Sequence, residues 1–180
     1  DVMVDHLFAN SDPRLAKYAE PVVSATGDTS KIDYVEYGGS TYAGMPYGVL
    51  NPGILQTRIS FLPDAVIYDG TAAGGMLYSY AQVCFSYAEA HLRGWSGLAG
   101  DAQTWYELGI AASHAQWGVS TADATAYLGS VARVSMETMA TEKWIALYLQ
   151  GHEAWSEWRR LDYPMLTPAT DALTGTGIPV

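Results

Sequence analysis

The run Glu142-Lys-Trp-Ile-Ala-Leu-Tyr-Leu-Gln-Gly-His-Glu-Ala-Trp-Ser-Glu-Trp-Arg-Arg-Leu-Asp-Tyr-Pro164 decides the fold class of this 180-residue chain. With the residues just before it, it places Ala140, Trp144, Leu147, Gly151, Trp155 and Trp158 on one side of a helix, because residues three and four apart share a helical face. The spacing predicts one long helix over about Met136 to Leu161, stopped by Pro164, whose ring and missing N–H cannot continue it. Trp144, Trp155 and Trp158 at that spacing read as core or helix interface ahead of a binding platform. Glu142, Glu153 and Glu157 are interleaved with Lys143, Arg159 and Arg160, a pattern of paired or solvated carboxylates.

Working upstream, Leu77, Ala81, Cys84, Ala88 and Leu92 form another helical stripe, which predicts a helix over about Met76 to Arg93 closed by Gly94. Asp101 then caps a second helix with Trp105, Leu108, Ala112 and Ala115 inward and Gly118 at its exit. The two make an antiparallel hairpin. Ser120 and Asp123 have capping-box spacing, with Asp replacing the usual Glu or Gln, and open a short helix ending near Leu128. Cys84 falls on the buried stripe and reads as a small core residue rather than a nucleophile.

Before Gly75 the chain is different, because Pro13, Pro21, Gly27, Gly38, Gly39, Gly44, Pro46, Gly48, Pro52, Gly53, Pro63, Gly70 and Gly74 leave room only for short elements. One or two helical turns are expected from Pro13 to Glu20, with Ser11 or Asp12 as N-cap, and short strands at Ile32 to Tyr37 and Thr57 to Phe61. The organisation expected is thus one piece, with a loop-rich segment over 1–75, a helical scaffold over 76–166 and an irregular tail over 167–180. Tyr34, Tyr37, Tyr42 and Tyr47 lie among the glycines of the first segment and are the candidate ligand-binding residues, since a ring presented on a loop can stack against a sugar or peptide. Tyr42 and Tyr47 are the weaker pair, and packing of the loop onto the helices is the competing role for all four.

A content of 49% hydrophobic and 16% charged residues excludes intrinsic disorder. The formal net charge of −10 disfavours polyanions, so nucleic acid is not an expected partner. Thirteen Tyr and 6 Trp against 3 Phe give most aromatic rings a polar handle suited to wet surfaces. No stretch approaches the ~20 apolar residues of a membrane helix, and the lone Cys84 forms no internal disulfide. His152-Glu153 opens like a zincin motif, but the position of the second His is Ser156, and the other histidines are scattered. No metal, cofactor, nucleophile elbow or phosphate loop is legible. A helical carbohydrate-active enzyme using two of Glu89, Glu107, Glu142, Glu153 and Glu157 remains a competing class, as does a purely structural helical module.

The run from Glu142 to Pro164 resembles the C-terminal signature of the SusD/RagB nutrient-binding lipoproteins, a helix reading roughly Lys-Trp-Ile-Ala-Leu-Phe, then Glu-Ala-Trp, then Arg-Arg, Gly or a small substitute, and Tyr-Pro. Asp162 stands where Gly is usual. Ser11-Asp-Pro-Arg-Leu15, Tyr42-Ala-Gly-Met-Pro-Tyr-Gly48, Tyr80-Ala-Gln-Val-Cys-Phe-Ser-Tyr-Ala-Glu-Ala90 and Tyr106-Glu-Leu-Gly-Ile-Ala-Ala-Ser113 before Trp117-Gly118 agree in the same order. The resemblance implies a mainly α fold of tetratricopeptide-type helical hairpins, a SusD-like superhelix with a loop-rich, partly extended N-terminal segment. It also implies capture of oligosaccharides or peptides, without catalytic residues, as a lid on a SusC-like TonB-dependent transporter. The protein would face outward on the outer membrane, lipid-anchored through an N-terminal Cys upstream of this chain. The resemblance corresponds to the C-terminal portion of longer proteins, so the chain is expected to be an internal fragment.

Overall fold

A computed structural model describes residues 2–24, 32–45, 53–67 and 76–166. They fall into two compact units, one of Asp1–Ala73 with Leu166–Val180 and one of Gly74–Met165.

The first unit is built of short pieces, as its breakers dictate. Helix α1 (Val2–Ala9) buries Val4 and Leu7 and was not legible among the loops expected there. Helix α2 (Leu15–Tyr18) is a single turn, shorter than the Pro13 to Glu20 reading. Strands β1 (Val35–Tyr37) and β2 (Ser40–Tyr42) form an antiparallel hairpin with Val35 opposite Tyr42 and Tyr37 opposite Ser40. Gly38 and Gly39 join them with φ of 59° and 77°, the left-handed pair that a two-residue hairpin turn requires. The strand expected at Thr57 to Phe61 is instead a 3-10 turn at Gln56–Arg58 followed by extended backbone. That backbone bonds irregularly: Ser60 N donates to Ala43 O at 2.7 Å and Glu20 N to Phe61 O at 2.8 Å. Helix α3 spans Asp64–Ile67.

The second unit is mainly helical. Helix α4 (Tyr80–Leu92) starts later than Met76 because Ser79 and Gln82 form a reciprocal capping box, Gln82 N donating to Ser79 Oγ at 3.2 Å and Ser79 N to Gln82 Oε1 at 2.7 Å. Leu77, read as the start of the stripe, is left 92% exposed. Helix α5 (Ala102–Gln116) begins at Asp101, whose carboxylate accepts from Thr104 N at 2.9 Å, and it packs antiparallel to α4. Its buried face is Tyr106, Gly109, Ile110, Ser113 and His114, about one residue round from the predicted stripe. Leu108 and Ala115 are exposed, while Trp105 and Ala112 border the core. Small and polar Gly109 and Ser113 carry no apolar signal, yet Gly109 lets the Phe85 ring approach its backbone.

Helix α6 spans Thr121–Ser130, capped by Ser120 as expected. The long terminal helix is in fact two, α7 (Met136–Ala146) and α8 (Gly151–Leu161). Between them Leu149 takes φ 66° and Gln150 N donates to Leu147 O at 2.8 Å. The chain therefore turns and α8 packs back on α7. The periodicity across Leu147 and Gly151 was coincidental, and Trp155, expected in the core, is 47% exposed. The core comprises Ala81, Phe85, Ala88, Tyr106, Ile110, Tyr127, Met139, Ala140, Ala146 and Leu161.

Candidate functional site

The tyrosines singled out from the sequence sit at and around the hairpin of the first unit, except Tyr47, which lies outside the described residues. Side chains alternate across strands, so the register puts Val35, Tyr37, Ser40 and Tyr42 on one face and Glu36 and Thr41 on the other. The second pair is exposed to half-buried and shares a hydrogen bond from Thr41 Oγ1 to Glu36 Oε1. Tyr42 is only 4% exposed, and burial pushes its phenol pKa up. Its ring is buried within the unit, the packing role that competes with ligand contact for this residue. Tyr34 and Tyr37 are half-buried, and the Tyr34 hydroxyl is buried without a hydrogen-bond partner among the described residues.

Four of the five helix glutamates weighed as an acid pair have a hydrogen-bond or ion-pair partner, and Glu153 is exposed. Glu89, 6% exposed on α4, receives Arg160 Nη2 at 2.6 Å, Arg160 Nη1, and Arg93 Nε at 2.7 Å. The Arg160 guanidinium, with Arg93 beside it, pulls the Glu89 pKa down to about 2 despite the burial. Glu157 bridges Lys143 Nζ at 3.1 Å and Arg160 Nη2 at 2.6 Å. Glu142 accepts from the Tyr127 hydroxyl at 2.5 Å, and Glu107 from Gln103 Nε2 at 2.8 Å. A general acid needs a pKa near the working pH, and Glu89 is shifted the opposite way. Among the described residues no group of three or more His, Cys, Asp or Glu could hold a metal ion. Nor is any of their helices long and apolar enough to cross a membrane.

Stretches carrying the family resemblance have structural work in these units. Asp12 and Arg14 are both fully buried, the guanidinium gripping the carboxylate from Nε at 3.0 Å and Nη2 at 2.5 Å while Arg14 N donates to Asp12 Oδ1 at 2.9 Å. Sequence reading saw only a cap in Asp12, since an ion pair two residues apart has no periodic signal. Asp162 ends α8 with φ 61°, a left-handed position that glycine adopts without penalty. Trp158 Nε1 donates to Pro164 O at 3.0 Å and ties the end of α8 to the Tyr-Pro pair. The glutamate network joins the Tyr80–Ala90 stretch to the Arg159-Arg160 pair, a link invisible in sequence because 71 residues separate its partners.

Comparison with known proteins agrees with this architecture. A SusD-like family described as "Starch-binding associating with outer membrane" matches residues 1–180. Solved structures similar to this chain include a chitin-binding protein, 27% identical over 98% of this chain and 40% of its own, with a TM-score of 0.75. A SusD homologue from Bacteroides vulgatus is 26% identical over 98% of this chain and 40% of its own, with a TM-score of 0.75. A SusD-like protein from Bacteroides thetaiotaomicron is 25% identical over 97% of this chain and 41% of its own, with a TM-score of 0.73. None of the curated proteins matches. The chain spans about 40% of the length of the solved structures it resembles. With a family match along all 180 residues and helical hairpins shared with SusD homologues, this chain belongs to the SusD-like family of starch-binding, outer-membrane-associating proteins.

Proposed function

We propose that the protein captures oligosaccharides at the outward face of the outer membrane and passes them, chemically unaltered, to a TonB-dependent transporter of the SusC type. The single observation that carries this reading is the family match over residues 1–180. The state of the carboxylates supports it, because Glu89 and Glu157 are committed to Arg160, Arg93 and Lys143. An α-glucan of starch type, or a chitin-type glycan as the name of one similar structure suggests, is the ligand class. The protein is lipid-anchored in this reading, and peptides are the second ligand class. Tyr34, Tyr37 and Tyr47 remain proposed contacts in the first unit, with Tyr42 serving its packing.

Affinity electrophoresis of the full-length protein tests the reading. Migration through gels containing amylopectin or glycol chitin should be retarded in at least one, relative to a gel without polysaccharide. Unchanged migration in both, or shortened glycan recovered from the retarded band, contradicts it.

A further inference from the structure

We infer that the tip of the α4–α5 hairpin is a sugar-stacking site, with Trp95 as its platform. Helix α4 ends in a full Schellman turn: Gly94, at φ 77°, donates to His91 O at 2.9 Å and Trp95 N to Ala90 O at 3.0 Å. In that motif the residue after the glycine ordinarily packs its apolar side chain back onto the helix. Here the opposing residue is Ala90, too small to cover an indole, and Trp95 stays 66% exposed. Its backbone is thus fixed while its ring is left open to solvent.

The far end of the loop is anchored at Ala99 and Gly100. Trp105 Nε1 donates to Ala99 O at 2.7 Å, and His91 Nε2 lies 3.2 Å from the same oxygen. Gly100, at φ 79°, passes so close that an added Cβ would stand 3.1 Å from Trp105 Nε1. Tyr87, one turn before His91, stacks on Trp105 at 4.5 Å with planes 21° apart and is partly exposed.

Such a surface fits a pyranose better than a protein partner. Trp95 is the one large apolar side chain exposed between Arg93 and Asp101, whereas a protein hot spot is ringed by further contacts that exclude water. A sugar ring needs only a flat apolar face for its C–H groups and polar groups at the edge for its hydroxyls. Ser96 and Asp101 are exposed, and His91 is half-buried, within the same loop and its flanks. A fixed backbone also lowers the ordering cost of binding.

This site rests on the proposed capture of glycans, and the test separates the two. Maltoheptaose and chitohexaose are titrated calorimetrically into the full-length protein and into Trp95→Ala, Trp95→Phe and Trp155→Ala, each first shown by circular dichroism to be folded. Trp95→Ala should weaken binding of the oligosaccharide that the parent binds by roughly tenfold. Trp95→Phe should recover most of that loss, and Trp155→Ala should bind like the parent. A parent that binds while Trp95→Ala binds equally well overturns the site and leaves the capture reading standing. A parent that binds neither oligosaccharide overturns both.

Discussion

Replacing Glu89 by Gln should destabilise the protein by about 2 kcal/mol at neutral pH, and the loss should fade in acid. The Glu89 pKa lies at about 2 against an ordinary 4.5, and at about 1.4 kcal/mol for each tenfold change in proton affinity this bounds the contribution at roughly 3 kcal/mol. Arg160 and Arg93 are each 44% exposed, so both rehydrate when the carboxylate is removed, which brings the expected loss to about 2 kcal/mol. A depressed carboxylate pKa stabilises the fold above the unfolded value and ceases to do so as pH falls through the folded value. The contribution is therefore complete above about pH 5, less than roughly half remains at pH 3, and it is gone below about pH 2.

Urea unfolding of the parent, Glu89→Gln, Arg160→Gln and the double variant at pH 7 and pH 3 measures this. The double variant should lose little more than the more damaging single change, because both remove one network. A loss below about 0.5 kcal/mol at pH 7, or one of the same size at pH 3, would refute the assignment of Glu89 as the charged link between α4 and α8.

Gly109→Ala would place a Cβ 2.8 to 2.9 Å from the fully buried Phe85 ring; overpacking of about 1 to 3 kcal/mol against a helix-propensity gain of about 1 kcal/mol leaves a net loss by thermal unfolding, and a rise in Tm would mean the hairpin is looser than described. Asp162→Gly should raise stability by up to about 1 kcal/mol, since Asp162 sits at φ 61°, and denaturant midpoints that fall instead would show the carboxylate to be holding the turn. Trp155→Ala should cost less than about 1 kcal/mol, because the residue is 47% exposed, with the Arg159 guanidinium 4.8 Å above its ring; a loss above about 3 kcal/mol would bury it after all.

Local signals carried the sequence reading and tertiary ones escaped it. Asp101 and Ser120 were legible as N-caps because a cap is written within a few residues of the turn it closes. The burial of Gly109 and Ser113 was not, since close approach of two helices favours small side chains that hydrophobic periodicity ignores. The reversal at Leu149 was hidden by an apolar pattern that runs unbroken from Trp144 to Trp155. Among the candidate tyrosines, Tyr37 and Tyr42 share one face of the hairpin, and the depth of burial that distinguishes them is set by packing that loop composition does not encode. Family-like stretches are recognisable in sequence, but the reasons for them, such as the buried Asp12–Arg14 pair and the left-handed residue at 162, lie in burial and backbone conformation that no local pattern encodes.

Capture without chemistry is the central claim, and the fate of bound glycan tests it most directly. Full-length protein is incubated for hours with the oligosaccharide it retains, calorimetry establishes the stoichiometry, and the glycan is recovered after denaturation and resolved by chain length. Stoichiometric binding with every molecule recovered at its original length is the predicted result. Accumulating shorter chains, abolished by Glu→Gln substitution at any of the helix carboxylates, would contradict it and make the protein an enzyme.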